Sequence, residues 1–531
     1  MNIRMPDMVS MYLEGAGRVD SLRHEDAKIK LNLENSRLHV RLVADTTPAR
    51  FIRLRWNFTS SEMPSEPVRI TGDCWERGYG NLEWRGIVSR RCMPWVCAAS
   101  TGSDMALDDT GRITYCYGVR VRSGAMCFWQ YDDTGVTLWL DVRCGGAGVK
   151  LGGRELNAAE VVMAEYKNIK AFDAMHAFYR TLCSDVLLPS KPVYGFNNWY
   201  YAYGNSSHSD IIRDTRWLSD LCRGINNRPF MVIDDGWQPN KTDWPWDRGN
   251  ERFPDMKALA DEIKALDVHP GLWVRYLANR QQKMPGVPEE AKMMRDHQFL
   301  DPSHPFVRDH VIDVTRRIVD WGYQLIKHDF STFDMFGVWG LYRQDMLAED
   351  GWHFYDQSRT SAEIIVDFYR VIREAAGEDT LILGCDVIGF LAAGLVHLNR
   401  TGYDTSGREW EGTRSAGVNT LAFHMTQEGT LYGADADCAP FTSKVPQKMA
   451  LKWLDILAKS GTALFVSPEP GALDTEGQDA LRAALARGSE QRDVLKPLDW
   501  MENTCPRVYD LNGTRVTYDW LEPQGVDSFR P

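Results

Sequence analysis

Hydrophobic and polar residues alternate in short runs over the first third of the chain. Runs at 38–43, 51–56 and 135–142 alternate or are apolar throughout, and turns rich in Gly, Pro, Asp and Ser separate them. A period of two is typical of strands that bury one face, and a series of such strands packs well as a β-sandwich. We therefore predict an N-terminal β-sandwich domain over 1–188, with a helix near its end at 171–186.

After Pro192 the pattern changes to a repeated order of strand, loop and helix. Amphipathic stretches such as 255–266 and 307–321 predict helices. Eight strand–helix units over about 290 residues have the size of a (β/α)₈ TIM barrel. No Gly-rich phosphate loop follows any strand, which counts against the rival doubly wound sheet. We predict a catalytic barrel over 189–487, in an α/β fold. Its predicted strands are 194–201, 229–235, 270–276, 323–329, 380–386, 397–403, 430–435 and 461–466.

The last segment, 488–531, is predicted to be a short C-terminal β region. Two alternating runs, 507–511 and 514–518, flank Asn512-Gly513. Asn-Gly between alternating runs is a strong signal for a β-hairpin. A lone hairpin is only marginally stable, so we expect this one to pack against the rest of the protein.

Charge and cysteine usage exclude some partners and compartments. The formal charge is −12 and no basic stripe offsets it, which argues against nucleic acid or an anionic membrane as a partner. The segment Met1–Gly17 lacks the apolar core of a signal peptide, and no run approaches the ~20 apolar residues of a membrane span. Eleven scattered Cys without CxxC spacing favour reduced thiols, and we expect a cytoplasmic protein. The His and Cys spacing indicates no metal.

Polar side chains follow the predicted strands at their carboxyl ends. Since the strands of a parallel barrel all point the same way, these side chains should meet at one rim. Indoles stack on sugar rings, while carboxylates and lysine bind hydroxyls, so this composition favours a sugar pocket. The predicted rim residues are Trp199, Asp234, Asp235, Trp237, Trp273, Lys327, Asp329, Cys385, Arg400, Asp404 and Asp437.

Two of the carboxylates, Asp329 and Asp404, have a cation close by in sequence. Lys327 lies two residues before Asp329, so both point to the same side of a strand, and its charge should lower the pKa of Asp329. Arg400 lies four residues before Asp404 and could orient it. Two carboxylates at one rim are the groups that hydrolysis of a glycosidic bond requires. His328 should face the helical layer instead of the pocket.

The motifs around these residues resemble those of the α-galactosidases of glycoside hydrolase family 36, in clan D. The likeness covers about 194 to 470 in the right order. The matching segments are 233–238 (IDDGWQ), 253–260 (FPDMKALA) continuing to 271–273 (GLW), 326–329 (IKHD), 400–404 (RTGYD) and 433–438 (GADADC), the last a changed form of the family's Asn-Asp-Pro-Asp motif.

This resemblance implies a role for each rim residue. Asp329 would be the nucleophile and Asp404 the acid/base of a retaining double displacement that needs no cofactor. Lys327 and Arg400 would hold the sugar and the carboxylates. The remaining substrate-binding residues would be Trp199, Asp234, Asp235, Trp273, Cys385 and Asp437. The expected substrate is a small oligosaccharide or glycoconjugate, and a cytoplasmic location would suit transported oligosaccharides.

Departures from the family pattern leave the identity of the substrate sugar undecided. His328 stands where the family usually has an aromatic residue, and 383–389 (LGCDVIG) lacks the Gly-rich loop of many α-galactosidases and adds Asp386. We expect an α-galactosidase first. An α-N-acetylgalactosaminidase, a β-L-arabinopyranosidase, a raffinose-synthase-like transglycosylase and a non-catalytic sugar-binding protein are alternatives. The short C-terminal region is compatible with a homo-oligomer in which a second copy completes the pocket wall.

Overall fold

The N-terminal part of the protein forms two antiparallel sheets packed face to face. The computed structural model describes residues 3–60, 66–78, 82–343, 346–490 and 494–522. One sheet has the order β2-β1-β6-β12-β11-β8 and the other β3-β4-β5-β13-β10-β9-β7. The strands are β1 (Met8–Leu13), β2 (Gly17–Val19), β3 (Arg23–His24), β4 (Ala27–Glu34), β5 (Arg37–Val43), β6 (Ala49–Asn57), β7 (Arg69–Gly72), β8 (Met93–Pro94), β9 (Val96–Ser100), β10 (Ile113–Val119), β11 (Met126–Asp132), β12 (Gly135–Asp141) and β13 (Glu155–Lys167).

Alternation in the sequence produces this sandwich. Along β5, Leu38, Val40 and Leu42 are fully buried and the residues between them are not. A strand with this pattern must cover one face, and the second sheet covers it. The helix α1 (Ala171–Leu182) follows β13 and ends four residues before its predicted end, because Cys183 adopts an extended conformation.

The central part of the protein is a closed barrel of eight parallel strands, in the order of the sequence. This confirms the predicted TIM barrel with an N-terminal sandwich. Nearly every strand residue is buried, as expected when side chains fill the barrel on the inside and helices cover it on the outside. The strands are β14 (Tyr194–Asn197), β15 (Phe230–Ile233), β16 (His269–Val274), β17 (Leu325–His328), β18 (Leu381–Gly384), β19 (Leu398–Arg400), β20 (Gly433–Phe441) and β21 (Ala463–Pro468).

Several of the helices that follow these strands begin at a polar side-chain cap that the sequence provides. Ser207 and Thr360 each form a capping box, at the start of α3 and α7 respectively. Short helical turns also occur at Glu289–Ala291, Gly340–Tyr342 and, as a π-helix, Arg414–Val418. The α-helices are α2 (Trp199–Ala202), α3 (His208–Leu221), α4 (Met256–Ala265), α5 (Pro305–Asp320), α6 (Ser331–Phe336), α7 (Ser361–Ala376), α8 (Gly389–Ala392), α9 (Trp410–Thr413), α10 (Asn419–His424), α11 (Gln447–Ser460) and α12 (Thr475–Gly488).

The first barrel strand is shorter than predicted. We predicted a strand over 194–201, but β14 ends at Asn197 and α2 begins at Trp199. The Asn197 side chain accepts a hydrogen bond from the Trp199 backbone N–H at 2.9 Å, a turn that competes with strand pairing. Trp199 therefore lies on a helical turn above the rim.

The sandwich and the barrel share an extensive interface. The Trp95 ring of the sandwich stacks on Phe390 of α8, with centroids 5.4 Å apart. Arg143 binds Asp350 of a barrel loop at 3.1 Å. The segment Asp73–Arg77, which follows β7 and is called the strap below, crosses to the mouth of the barrel. The next residue, Gly78, donates its N–H to the Thr401 carbonyl at 3.3 Å.

The C-terminal region forms the predicted hairpin, β23 (Val508–Leu511) and β24 (Thr514–Thr517), with β22 (Lys496–Pro497) as a third strand. It packs against both other parts of the protein, as a marginal hairpin requires. Trp410 donates its indole N–H to the Trp520 carbonyl at 2.8 Å, and Trp500 donates to Asp104 at 2.8 Å. In the described ranges no helix is long and apolar enough to cross a membrane.

A glycine in β14 tests the barrel pairing. Gly195 has φ +149°, and a Cβ there would lie 1.9 Å from the Phe230 carbonyl oxygen of β15. Gly195→Ala should force the two strands apart at a cost of about 1–3 kcal/mol and lower the melting temperature by several degrees. Gly86→Ala is the control, since a Cβ at Gly86 meets nothing within 4 Å. Equal melting temperatures for the two variants, by differential scanning fluorimetry, would contradict the register.

Candidate active site

Asp329 lies at the end of β17, on a turn that the structure holds in an unfavourable conformation. The next residue, Phe330, has φ +65°, which costs free energy for a residue with a large side chain. The guanidinium of Arg275 stacks on the Phe330 ring at 3.9 Å and forms an ion pair with Asp334 at 2.5 Å. These contacts fix the direction in which Asp329 leaves the strand.

The Asp329 carboxylate is buried but charged. It accepts hydrogen bonds from the Trp273 indole N–H at 2.9 Å and from the Phe330 backbone N–H at 2.8 Å. Burial pushes its pKa upward, but the charges of Arg77 and then Lys327 outweigh that effect, and the pKa is lowered. With only 9% of the residue exposed, Asp329 is a largely buried carboxylate whose lowered pKa favours the ionised form.

Lys327 forms its ion pair with Asp234, not with Asp329. Its ammonium group lies 2.7 Å from Asp234, which also accepts from Asn197 at 2.9 Å. Although burial lowers the pKa of Lys327, Asp234 raises it well above its usual value, so Lys327 is a cation. It neutralises Asp234 directly and acts on Asp329 through space.

Asp235 points into the loop that follows β15. One of its oxygens accepts from Gln238 at 2.6 Å and from the Thr242 backbone N–H at 3.0 Å. The other oxygen is buried and has no partner among the described residues. Burial raises the pKa of Asp235. The paired carboxylates of the DDGW motif therefore have separate partners, although they are neighbours in sequence.

Asp404 is the exposed carboxylate of the site. Its side chain is 53% exposed and lies on the loop after β19. Arg400 reaches it at 3.2 Å and Arg77 at 3.4 Å. The predicted contact between Arg400 and Asp404 is thus present, and a second cation shares it.

Arg400 is fully buried and depends on Asp437 for its charge balance. Their separation is 2.8 Å. Asp437 also accepts from the Tyr200 hydroxyl and from the Thr405 backbone N–H, the latter at 2.9 Å. Burial raises the pKa of Asp437, but Arg400 and Lys327 together lower it below its usual value. Asp437 therefore holds Arg400 in position at the end of the barrel.

Cys385 lies between two arginines at the end of β18. Its sulfur is 3.2 Å from Arg400 and 3.5 Å from Arg77. The next residue, Asp386, lies against Glu76 of the strap. Burial, and then the Glu76 charge, raise the pKa of Asp386 well above its usual value. The extra carboxyl that distinguishes this strand end is thus turned toward the strap.

Arg77 is the residue of this site that sequence reasoning missed. It comes from the sandwich, it is 7% exposed, and its guanidinium contacts Cys385, Asp404 and the ring of Trp339. The only local signal is a run of ionisable residues after a buried strand, in 73–77 (DCWER). Nothing in that run indicates that it reaches barrel residues 308 and 327 positions further along the chain.

The aromatic residues divide into two groups. Trp273 contacts Asp329, and Trp199 is half-buried beside Tyr203. Trp237, which we predicted at the rim, is instead fully buried and donates its indole N–H to the Trp273 carbonyl at 3.0 Å. That prediction was wrong: after a turn at Gly236, where φ is +110°, the Trp237 ring packs against Trp246 and Trp321. His328 packs against Tyr276, Phe368 and Tyr369, in the helical layer as predicted.

Solved structures share this architecture. The chain is similar to TtGalA, an α-galactosidase from Thermus thermophilus in complex with p-nitrophenyl α-D-galactopyranoside (TM-score 0.60, 18% identity, 96% of this chain and 99% of that chain). It is also similar to a variant of the family 36 α-galactosidase AgaA from Geobacillus stearothermophilus in complex with 1-deoxygalactonojirimycin (0.58, 13%, 93% and 77%).

A third similar structure binds a different sugar. It is a family 31 dextranase from Flavobacterium johnsoniae complexed with glucose (TM-score 0.52, 10% identity, 95% of this chain and 66% of that chain). No protein-family model matches the sequence. At these identities the likenesses show that the chain has the fold of these glycosidases, and the choice of sugar has to be argued from the site.

The different burial of the two partners in the Arg400–Asp404 contact leads to a test. Arg400→Met should leave the buried Asp437 without its ion-pair partner, at a cost of about 3–5 kcal/mol. Asp404→Asn alters an exposed side chain and should change stability by less than about 0.5 kcal/mol. Thermal unfolding should therefore show a large loss for the first variant, a smaller loss for Arg400→Lys and almost none for Asp404→Asn. A loss for Asp404→Asn as large as that for Arg400→Met would contradict this geometry.

Proposed function

We propose that the protein is a retaining exo-α-glycosidase that releases terminal α-galactose. One observation carries this proposal. A buried, ionised carboxylate, Asp329, lies at the same barrel rim as an exposed carboxyl group, Asp404. The charge of Arg77 acts on Asp329, and its guanidinium lies 3.4 Å from Asp404. Glycosidases that retain configuration require such a pair, one member as nucleophile and the other as acid and then base. The fold shared with α-galactosidases supports the assignment.

The residues would act in two steps. In the first, an oxygen of Asp329 attacks the anomeric carbon while the protonated Asp404 donates its proton to the leaving oxygen. In the second, Asp404 takes a proton from water, and that water displaces Asp329 from the sugar. Trp273 and the Phe330 N–H hold Asp329 by one hydrogen bond to each oxygen, so the carboxylate has a fixed orientation for attack.

Three features favour galactose over the alternatives. Asp234 and Lys327, which lie 2.7 Å apart, offer an acceptor and a donor for sugar hydroxyls, and the resemblance gives the 4- and 6-hydroxyls of galactose to the paired Asp234 and Asp235. Trp199 is half-buried and offers an indole ring that can stack on a sugar. An acetamido group at C2 would need room beside Cys385, but Arg77 lies 3.5 Å from that sulfur. A free 2-hydroxyl therefore fits better than the substituent of an N-acetylgalactosaminide.

A panel of p-nitrophenyl glycosides tests the sugar. Purified protein should hydrolyse the α-galactoside faster than the α-N-acetylgalactosaminide, the β-L-arabinopyranoside or the α-glucoside. A faster rate on another member would reassign the sugar and keep the mechanism. No rate on any member, together with binding of galactose in calorimetry, would favour a sugar-binding protein. Analysis of the products formed in the presence of a second sugar as acceptor distinguishes hydrolysis from transglycosylation.

Variants of the two carboxylates should lose activity in different ways. Asp329→Asn should lower kcat by several orders of magnitude on every substrate, since no nucleophile remains. Asp404→Ala should slow substrates with poor leaving groups far more than p-nitrophenyl glycosides, because the activated group needs little protonation. Equal losses on both kinds of substrate would exclude Asp404 as the acid. Wild-type kcat in Asp329→Asn would exclude Asp329 as the nucleophile.

Arg77 leads to a prediction about pH. After burial, which raises the pKa of Asp329, the largest influence on it is the charge of Arg77, which lowers it. Activity requires ionised Asp329 and is lost as pH falls through that pKa. Arg77→Met should raise the pKa, so the acidic limb of the kcat/KM profile should move to higher pH.

The matched control for charge is Arg223→Met, whose side chain is 81% exposed on the outside of the barrel. It removes one positive charge without changing the surroundings of Asp329, and its acidic limb should coincide with that of the wild type. If the Arg77 variant also keeps the wild-type limb, Arg77 does not set the ionisation of Asp329.

A further inference from the structure

A second cluster of chemically active side chains lies behind the candidate active site. Asp73 and Cys74 come from the strap, and His424 is the last residue of α10. The Cys74 sulfur lies 3.8 Å from His424 Nε2 and 3.6 Å from Asp73 Oδ1, and His424 Nε2 lies 3.7 Å from the same oxygen. Three different ligand-type atoms thus converge on one point between the sandwich and the barrel.

The tautomer of His424 directs a lone pair into this cluster. Its Nδ1 lies 3.2 Å from the Thr420 carbonyl oxygen, which can only accept, so Nδ1 carries the proton. In the neutral ring Nε2 is then an unprotonated nitrogen that faces a carboxylate oxygen and a sulfur. A ring N–H bound to a backbone carbonyl is also the usual outer-shell arrangement of a metal-binding histidine.

The carboxylate of Asp73 is oriented by other groups. Its Oδ2 accepts from the Gln427 side chain at 2.6 Å and from the Tyr179 hydroxyl at 3.2 Å, while Oδ1 accepts from the Cys74 backbone N–H at 2.8 Å. These donors are neutral. Among the described residues, His424 is the basic side chain that lies within 4 Å of the Asp73 carboxylate. The cluster is therefore a buried carboxylate beside a thiol and an imidazole, and a metal ion would supply a positive charge at this point.

We propose that Asp73, Cys74 and His424 bind a structural zinc-type divalent cation that joins the strap to the barrel. Tetrahedral bonds of about 2.0–2.3 Å to oxygen, nitrogen and sulfur place the ligand atoms about 3.3–3.6 Å apart. The three observed separations exceed this by only a few tenths of an ångström. Sulfur and imidazole ligands in such a geometry select zinc over magnesium or calcium.

Charge balance supports a divalent ion. On binding, the Cys74 thiol releases its proton to solvent and a metal–sulfur bond forms. The ion then carries two positive charges, Asp73 and Cys74 carry one negative charge each, and His424 is neutral. The complex has no net charge, so its burial costs less than that of an unpaired carboxylate. A water molecule can occupy the fourth position, and the Cys74 thiol, which donates to the Glu76 carbonyl, gives up that hydrogen bond when it binds the metal.

The spacing of these residues explains why the sequence did not indicate the site. Asp73 and Cys74 are adjacent, but His424 is 350 residues from Cys74, so no motif of the CxxC or HxxxH kind appears. The ion would stabilise the strap next to Glu76 and Arg77, three residues before the guanidinium that contacts Asp404. It is not required for any chemical step proposed above.

Metal content is the direct test. Protein without an affinity tag is incubated with ZnSO₄, passed over chelating resin and measured by inductively coupled plasma mass spectrometry. We expect about one zinc ion per chain in the wild type and at least an approximately tenfold lower content in Cys74→Ser and His424→Gln. Cys116→Ala, which removes a buried thiol from β10, is the control and should keep the wild-type content. Less than about a tenth of an equivalent in the wild type, or wild-type content in both ligand variants, would overturn the proposal.

Cobalt provides a second readout that does not depend on how the variants fold. The wild type loaded with Co²⁺ should show a thiolate-to-cobalt charge-transfer band, and its absence would overturn the assignment of Cys74. A chelator should lower the melting temperature of the zinc-loaded wild type and of Cys116→Ala, since an ion that binds only the folded state stabilises it. An unchanged melting temperature would contradict a structural role for the ion.

Discussion

Three buried cations allow the end of this barrel to contain so many carboxylates. Lys327 neutralises Asp234, and Arg400 neutralises Asp437. The positive charge of Arg77 lies close to both Asp329 and Asp404. An unpaired carboxylate in such surroundings would cost several kcal/mol or take up a proton. Asp386 shows the second outcome, because burial and then the charge of its neighbour Glu76 raise its pKa well above its usual value. The placement of cations thus decides which carboxyl groups at the rim are charged.

The contribution of the sandwich follows from the same electrostatic constraint. A barrel alone would provide Lys327 and Arg400, each of which is already close to another carboxylate. The cation with the largest lowering effect on the pKa of Asp329 comes from the strap, and hydrogen bonds to the barrel hold the strap at its beginning and just after its end. Gly78 donates to Thr401, and Asp73 binds Gln427. Docking of the two domains and ionisation of Asp329 are therefore connected by a short segment of chain.

Much of the fold was predictable because the signals are local. Each of the eight barrel strands overlaps its predicted range, since each contains a short apolar run between polar loops, although β20 extends six residues beyond its predicted end. Asn512-Gly513 forms its hairpin. The rim residues Asp329 and Asp404 were predictable for the same reason, as polar residues at strand ends. Trp237 was misplaced because a turn with positive φ at Gly236 reverses the chain, and hydrophobic pattern does not report such a turn. Arg77 and the cluster around His424 could not be predicted, since they depend on contacts between segments hundreds of residues apart.

The strap also determines which part of the protein could be transferred to another scaffold. Designers often regard a TIM barrel as a self-contained catalytic unit, with the preceding domain as an accessory. Here, a barrel excised at residue 193 would keep both rim carboxylates and lose Arg77, so its Asp329 would be buried with less positive charge around it. The smallest transferable unit is the barrel together with the sandwich that presents the strap. In evolution, a change in how these two domains pack would alter the chemistry at the rim without any substitution in the barrel itself.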